Sequence, residues 1–207
     1  MILRMPDSIT ATSCGGFFAD LASTEPVPGG GAVAGVVGAT AAALGEMVAG
    51  YSLRCSDDAS VEESIKGLAS ELAKARALFL QLADEDAAAY AVLNAAFKLS
   101  KGDPARTDSI RAGAQTAVQP PLAVLATAGD VSRILEQLQP HANKNLRSDL
   151  AIAARLTDSA ANAAMWNIRA NAPLLGDAGA VALAEAQKTA DAIESRCGSI
   201  ESGCLVG

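Results

Sequence analysis

Residues 26–45, between Glu25 and Glu46, carry no charge and consist mostly of Gly, Ala and Val. Within this run, small residues recur at spacings of four and three, so they share one face of a helix that we predict from about Gly30 to Leu53. The small residues are Gly31, Gly35, Gly38, Ala42, Gly45 and Ala49. Because this face lacks large side chains, the backbone of another helix can approach it closely.

Larger apolar residues form a second stripe, two positions further along the same helix and with the same spacing. They are Val33, Val37, Thr40, Leu44, Met47 and Tyr51. Two residues correspond to about 200° around a helix, so the two stripes lie on opposite faces. Burial on both faces is typical of a helix at the centre of a bundle or in a subunit interface.

Two prolines and three glycines, within residues 26–31, form a rigid entry to this helix. The backbone N–H groups at the helix start then lack partners within the helix and can hold an anionic group. A turn before a core helix would have the same sequence, so both interpretations stay open. The nucleotide-binding patterns GxxxxGK[ST] and GxGxxG after a strand are absent.

The same run is long enough to span a bilayer. It is rich in Gly and Ala rather than in Leu and Ile, and no second span follows it. We therefore expect a buried helix and no membrane partner.

Helical patterns also cover the rest of the chain, without a convincing strand pattern. Four predicted helices run from Gly15 to Ala22, from Gly30 to Leu53, from Pro104 to Leu138 and from Asp177 to about Arg196. Two more follow the second and the third of these helices, and they end at Phe97 and at about Asn171. Gln119-Pro120-Pro121 must kink or break the fourth helix. Ser56-Asp57-Asp58 forms a polar break, and residues 198–207 are expected to be loose. We predict one all-α domain of about six helices over residues 1–207.

Asp86 interrupts an apolar stripe that otherwise continues along the longest predicted helix. The other members are Val61, Ile65, Leu68, Leu72, Ala75, Phe79, Leu82, Tyr90, Leu93 and Phe97. A carboxylate on such a stripe is costly unless it is paired, hydrogen-bonded or solvated in a cleft. Asp86 therefore either pairs with an Arg or caps a neighbouring element, or it is the carboxylate of a pocket. Asp84 and Glu85 lie off the stripe, and we expect them to face solvent.

A polar loop precedes the fifth helix. Asn145 or Ser148 could cap this helix, and a carboxylate such as Asp149 is favourable near a helix N-terminus. Asn167 and Asn171 lie one turn apart on one face of the same helix. Asn is a poor helix former, so these two residues are expected to face solvent or to hydrogen-bond to another helix.

The composition argues against several classes of function. The formal net charge is −7 and no Lys/Arg cluster offsets it locally, so no nucleic-acid partner is expected. The chain has a single histidine, His141, and four cysteines without a CxxC pattern. These counts argue against zinc sites and against Ser-His or Cys-His hydrolysis. We expect free thiols, no signal peptide and a cytoplasmic protein.

Three stretches contain most of the candidate functional residues. They are PVPGGGAVAGVVGATAAALGEMV at residues 26–48, DEDAAAYAVLNAAFKLSK at 84–101, and NKNLRSDLAIAA at 143–154 followed by WNIRAN at 166–171. In this order and spacing they resemble the cyclodeaminase/cyclohydrolase family, over nearly the whole chain. The resemblance implies an up-and-down all-α bundle that forms a homodimer through the Gly/Ala-rich central helix, with a folate site near the dimer interface.

The resemblance also implies roles for individual residues. Asp86 is the first candidate for the catalytic carboxylate, and Asp149 is the second or else orients the pterin ring. The expected substrate-binding residues are Pro28, Gly29, Gly30, Gly31, Tyr90, Asn143, Asn145, Ser148, Asn167 and Asn171. Asn143 and Asn145 would bind the amide edge of the pterin.

Two reactions are implied by the family. Our first expectation is hydrolysis of 5,10-methenyltetrahydrofolate to 10-formyltetrahydrofolate, and the other is cyclodeamination of 5-formiminotetrahydrofolate. Both involve a delocalised cation and a tetrahedral centre, which a carboxylate in an apolar setting can stabilise while it shuttles a proton. The folate derivative is the substrate, and no metal or other cofactor is expected.

One departure from the family leaves two alternatives open. Relatives often carry a lysine-rich segment after the glycine-rich helix, suited to the anionic tail of folate, whereas residues 53–58 here contain one cation and two acids. The first alternative is therefore an enzyme of the same fold with a non-folate substrate. The second is a non-catalytic helical dimer, which complete pairing of Asp86 with an Arg would favour.

Overall fold

The computed structural model describes residues 8–55 and 58–205, and this part of the chain is helical and contains no strand. The α-helices are α1 (Cys14–Leu21), α2 (Gly30–Leu53), α3 (Ala59–Phe97), α4 (Arg106–Ala117), α5 (Gln119–Leu138), α6 (Arg147–Asn171) and α7 (Asp177–Leu205). Short 3₁₀ turns occupy Gln139–His141, Lys144–Leu146 and Ala172–Leu175. The predicted all-α class is confirmed.

The glycine-rich helix α2 has the predicted bounds and packs against α3, α6 and α5. All six members of its small-residue stripe are buried. A β-carbon added to Gly35 would lie 2.6 Å from the carbonyl oxygen of Phe79, and one added to Gly38 would lie 2.6 Å from the Phe79 ring. The missing side chains therefore allow α3 to pack closely against the backbone of α2. By length and composition α2 could cross a membrane, but 56% of its most apolar window is buried by the fold, as in a core helix.

We expect Gly35→Ala to lower the free energy of unfolding by about 2–3 kcal/mol, because the added methyl group meets a backbone oxygen that cannot rotate away. Gly67→Ala is the matched control at an exposed position in the helix α3, where an added β-carbon meets nothing within 4 Å. We expect this control to gain about 0.5–1 kcal/mol, since Ala is the better helix former. Chemical denaturation measures both changes, and equal stabilities would contradict the close packing of α2 on α3.

The large-residue stripe of α2 is not buried within a single chain. All six of its residues are partly or fully exposed, with Met47 at 38% and Tyr51 at 46%. The expectation of burial on both faces is therefore met on one face only. A largely apolar surface remains along α2, with the Arg54 guanidinium 5.0 Å from the centre of the Tyr51 ring at its carboxyl end.

The prolines break the predicted fourth helix, which is one of the two outcomes that the sequence allowed. Pro120 and Pro121 have no N–H to donate, so helical hydrogen bonding is interrupted. Helix α4 ends at Ala117 and α5 begins at Gln119, which gives seven α-helices in the described part instead of about six.

The prediction of a loose tail is wrong for residues 198–205, because α7 continues to Leu205. Cys197 and Ile200 are buried in this last part, and Gln139 donates a hydrogen bond to the Ile200 carbonyl oxygen (3.0 Å). This packing holds the helix together beyond its predicted end. Residues 206–207 of the tail, and residues 56–57 of the predicted polar break, lie outside the described residues.

Candidate active site

The first turn of α2 presents backbone amides without an acceptor inside the helix. The first helical hydrogen bond runs from the Val33 N–H to the Gly29 carbonyl oxygen (3.1 Å), and Gly29 has no side chain to cap the amides of residues 30–32. Pro28, which enters this turn after a cis peptide bond, is buried. A helix start of this kind can bind a carboxylate or another electron-rich group.

Asp86 of α3 lies directly against this turn. A β-carbon added to Gly31 would lie 2.1 Å from Asp86 Cγ, and 2.1 and 2.2 Å from the two carboxyl oxygens. Only glycine at position 31 therefore leaves room for the carboxyl group. The two helices run antiparallel here, since Gly31 faces Asp86 while Gly38 faces Phe79.

Asp86 is partly buried and has no hydrogen bond or ion pair with any group in residues 8–55 and 58–205. Burial raises the pKa of its carboxyl group from 3.8 to about 6. Within these residues, Asp86 therefore neither pairs with an Arg nor caps a neighbouring element. A carboxyl group that titrates near neutral pH and keeps its acceptors unused is suited to proton transfer.

The raised pKa of Asp86 predicts a particular dependence of stability on pH. The folded protein keeps this proton up to about pH 6, whereas the unfolded chain releases it near 3.8. Stability from this group is therefore fully present below pH 3.8 and is lost as pH rises to about 6. The loss is about 2 kcal/mol once partial exposure is allowed for.

Asp86→Asn removes this dependence. We therefore expect the free energy of unfolding of the variant, relative to that of wild type, to rise by about 2 kcal/mol from about pH 4 to about pH 7. Denaturant titrations of both proteins at the two pH values measure the difference. Asp158, whose pKa burial also raises, is present in both proteins and cancels. Identical pH dependence of the two proteins would contradict a buried, unpaired carboxyl group at position 86.

Asn167 of α6 lies on another side of the same turn. A β-carbon added to Gly30 would lie 3.6 Å from Asn167 Oδ1 and 4.0 Å from Nδ2. The Nδ2 group donates to the Ala163 carbonyl oxygen (3.1 Å), one turn earlier on α6. Its Oδ1 accepts no hydrogen bond from the described residues and remains available to a ligand.

Two other predicted binding residues near this end of the bundle have different environments. Tyr90, one turn beyond Asp86, is 42% exposed rather than continuing the buried stripe of α3. Asn171 donates to the Ala117 carbonyl oxygen (3.2 Å), which Pro121 leaves without a helical donor. Asn171 of α6 therefore bonds to the last residue of α4, as the interhelical alternative predicts.

The third predicted motif lies at the opposite end of α2. The Asn143 N–H donates to Ser52 Oγ in the last turn of α2 (2.9 Å), and Asn143 Nδ2 donates to Cys55 Sγ (3.3 Å). Asn143 Oδ1 accepts from the Asn145 N–H (2.9 Å). Asn143 thus caps the turn before α6, a role that the sequence suggested for Asn145 or Ser148.

Ser148 and Asp149 occupy the first turn of α6, where Ser148 is exposed and Asp149 is partly buried. Next to the Asn143 turn is a cleft of about 420 Å³, whose lining includes Ser52, His141 and Lys144. Sequence reasoning gave these three residues no role, since nothing local indicates that a loop 91 residues later in the chain binds Ser52. Within the described ranges, no three His, Cys, Asp or Glu side chains are grouped closely enough to hold a metal ion.

Within one chain the two groups of predicted site residues do not meet. We call Gly29–Gly31, Asp86 and Asn167 the amino-end site, and the four residues Asn143, Asn145, Ser148 and Asp149 the carboxyl-end site. From Gly31 to Ser52 the axis of α2 spans about 32 Å, at 1.5 Å per residue. The predicted pair of catalytic carboxylates, Asp86 and Asp149, is therefore divided between the two ends of α2.

These features define a helical-bundle domain with a buried glycine-rich central helix and an unpaired carboxyl group, that of Asp86, at its amino end. The sequence profile of the formiminotransferase-cyclodeaminase family matches residues 13–190. The chain belongs to this family, and the resemblance predicted from the three motifs is confirmed.

The similarity extends to proteins with two different names. The formimidoyltransferase-cyclodeaminase of Mus musculus is 30% identical over 168 residues, which cover 79% of this chain and 31% of that protein. The methenyltetrahydrofolate cyclohydrolase of Methylorubrum extorquens is 28% identical over 165 residues, or 78% of this chain and 79% of that one. The chain thus spans less than a third of the mouse protein but most of the bacterial one.

A solved structure has the same fold. The formiminotetrahydrofolate cyclodeaminase of Thermotoga maritima superposes with a TM-score of 0.83 at 28% sequence identity. The match covers 95% of this chain and 99% of that chain.

Proposed function

We propose that this protein is a folate one-carbon enzyme, which hydrolyses 5,10-methenyltetrahydrofolate to 10-formyltetrahydrofolate or cyclodeaminates 5-formiminotetrahydrofolate. The observation that carries the proposal is the unpaired carboxyl group of Asp86, held against Gly31 at the amide-bearing start of α2. Family membership and the names of the relatives support the folate substrate. The chemistry needs no metal or redox cofactor, because the substrate itself carries the one-carbon unit.

In the proposed hydrolysis, a water molecule attacks the methenyl carbon and Asp86 accepts a proton from that water. The bond between this carbon and N5 then breaks, and N5 takes a proton from Asp86 while the carbinol hydroxyl loses its own. The products are 10-formyltetrahydrofolate and one proton. A pKa of about 6 leaves Asp86 mainly ionised at neutral pH and still able to return the proton.

The ionised carboxylate also stabilises the cationic substrate before attack. The apolar surroundings that raise the pKa of Asp86 make this attraction stronger than it would be in water. The amides of residues 30–32 and Asn167 Oδ1 are the neighbouring groups that can orient the pterin and its one-carbon unit. In cyclodeamination the same carboxyl group would protonate the departing ammonia after N10 attacks the formimino carbon.

We propose further that two copies of the chain form the working enzyme. The support is the largely apolar face of α2, which stays exposed in one chain, including Met47 and Tyr51. A two-fold axis through the middle of α2 would pair this face with itself and run the two helices antiparallel. The amino-end site of one chain would then lie beside the carboxyl-end site of its partner, so that Asp149 and Asn143 could reach a substrate held by Asp86.

The test is the decay of methenyltetrahydrofolate absorbance, with 5-formiminotetrahydrofolate supplied in a parallel assay. Turnover of either compound above the uncatalysed rate is expected and identifies the reaction. If a folded dimer acts on neither compound, the folate proposal is overturned. Size-exclusion chromatography with light scattering gives the oligomeric state, and a monomer at assay concentration would overturn the shared site.

A further inference from the structure

Asp84 is partly buried and hydrogen-bonded, although its position off the apolar stripe suggested that it would only face solvent. Its Oδ2 accepts a hydrogen bond from Ser8 Oγ (2.6 Å) and its Oδ1 accepts one from the Ile9 N–H (2.9 Å). These bonds join α3 to a segment 75 and 76 residues earlier in the chain. The carboxylate therefore anchors the segment that leads into α1.

Helix α1 packs beside the amino-end site through Phe17 and the partly buried Leu21. Phe17 is its only buried residue, while the neighbouring Phe18 is 57% exposed. Phe17 packs in a small apolar cluster with Ala32 of α2 and Ala83 of α3. Ala32 follows Gly31, and Ala83 lies one turn before Asp86 on the same side of α3. The ring thus flanks the contact between Gly31 and Asp86.

The space beneath α1 is small. A cavity of about 20 Å³ is lined by Phe17, Pro28, Asp84 and Ala87, among others, which is room for about one water molecule. Phe17 and the partly buried Leu21 are a small apolar attachment for an eight-residue helix, so the two hydrogen bonds to Asp84 matter for its position. Losing them would let α1 move and admit water to the amino-end site.

We propose that Asp84 is a positioning residue: it holds Ser8 and Ile9 so that α1 and Phe17 stay beside the Gly31–Asp86 contact and keep bulk water from the side of the Asp86 carboxyl group that faces α1. The geometry stands independently of catalysis, although its consequence for turnover rests on the proposed function. The titratable groups near Asp86 are Asp84, Glu85 and Tyr90 on α3 and Asp20 on α1 at the rim of the cavity. The residues of α2 and α6 that lie near it, Gly31 and Asn167, are uncharged, and burial accounts for the raised pKa of Asp86.

The first experiment measures the titration of Asp86 directly, by carboxyl-carbon NMR on the full chain labelled at aspartate, with Asp86→Asn to assign the signal. In Asp84→Ala the midpoint should fall by about one pH unit, because water reaches the carboxyl group. Asp84→Asn removes the same charge but can still accept from the Ile9 N–H, so its midpoint should stay near that of wild type. Equal shifts in the Ala and Asn variants would indicate lost charge repulsion and overturn the proposal.

Two more variants keep the test decisive if Asp84→Ala does not fold. Ser8→Ala removes one of the two hydrogen bonds without changing any charge and should give a smaller shift in the same direction. Glu85→Ala, at the exposed neighbouring position, should give none. An unchanged Asp86 midpoint in Ser8→Ala and in any folded Asp84→Ala would overturn the proposal.

The second experiment follows the acid limb of the kcat/KM profile, which should move to lower pH in Asp84→Ala and not in Asp84→Asn. If the protein proves inactive on folates, the NMR result still decides the role of Asp84. If it is active but the profile does not move while the NMR midpoint does, Asp84 shields Asp86 and Asp86 is not the proton carrier. These outcomes separate a failure of the inference from a failure of the proposed function.

Discussion

Asp86→Asn is expected to lower turnover of the folate substrate by about 10²–10⁴-fold while the helical fold remains intact. The amide keeps the size of the side chain but cannot accept a proton from the attacking water or balance the substrate cation. Because the buried carboxylate is costly at neutral pH, the variant should also be somewhat more stable than wild type there. The measurement combines steady-state kinetics with circular dichroism and denaturant titration.

Glu85→Gln is the matched control for this prediction. Glu85 is the next carboxylate back along α3, but it is exposed, and its side chain accepts a hydrogen bond from Gln81 (2.7 Å) rather than facing α2. The control should keep turnover within about twofold of wild type. Full activity in Asp86→Asn would show that Asp86 does not carry the proton, whatever the control does.

Gly31→Ala should be nearly as damaging to turnover, by about 10²-fold or more. Its β-carbon would lie 2.1 Å from the Asp86 carboxyl group, so that group must rotate away from the first turn of α2. Because the displaced atoms are the end of a side chain, we expect a stability loss of only about 1–2 kcal/mol, less than for Gly35→Ala. Activity assays and denaturation of the same preparations separate the two effects.

Gly67→Ala serves again as the control, since it makes the same change in open space on α3, away from the exposed face of α2. It should retain the activity of wild type. If Gly31→Ala also retained it, the carboxyl group of Asp86 could not occupy the position described here.

The central helix could be predicted from the sequence because its signals are local. Small residues at helical spacing fixed both the bounds of α2 and the face that packs against α3. Asp86 was detectable for a similar reason, as a charge inside an apolar stripe. The end of α7 could not be predicted, because Gly198 suggests a break and only tertiary packing of Ile200 continues the helix.

The arrangement of the site could not be predicted from the sequence, for a different reason. Motifs identify residues, but they do not say at which end of a buried helix each residue lies. Asp86 and Asp149 belong to one family pattern, yet they lie near opposite ends of α2. The role of Asp84 could not be predicted because its partners Ser8 and Ile9 lie 76 and 75 residues earlier in the chain, and no local pattern links them to it.

We propose that one active site takes Asp86 from one chain and Asp149 from its partner. Mixing Asp86→Asn with Asp149→Asn tests this claim most directly, once each variant alone is inactive. Differently tagged chains, co-expressed and purified through both tags, give the heterodimer. In an antiparallel dimer one of its two sites then has both native carboxylates, so about half of the wild-type activity should return. No recovery in a verified heterodimer would show that the two carboxylates do not act together across the interface, and would contradict the shared site.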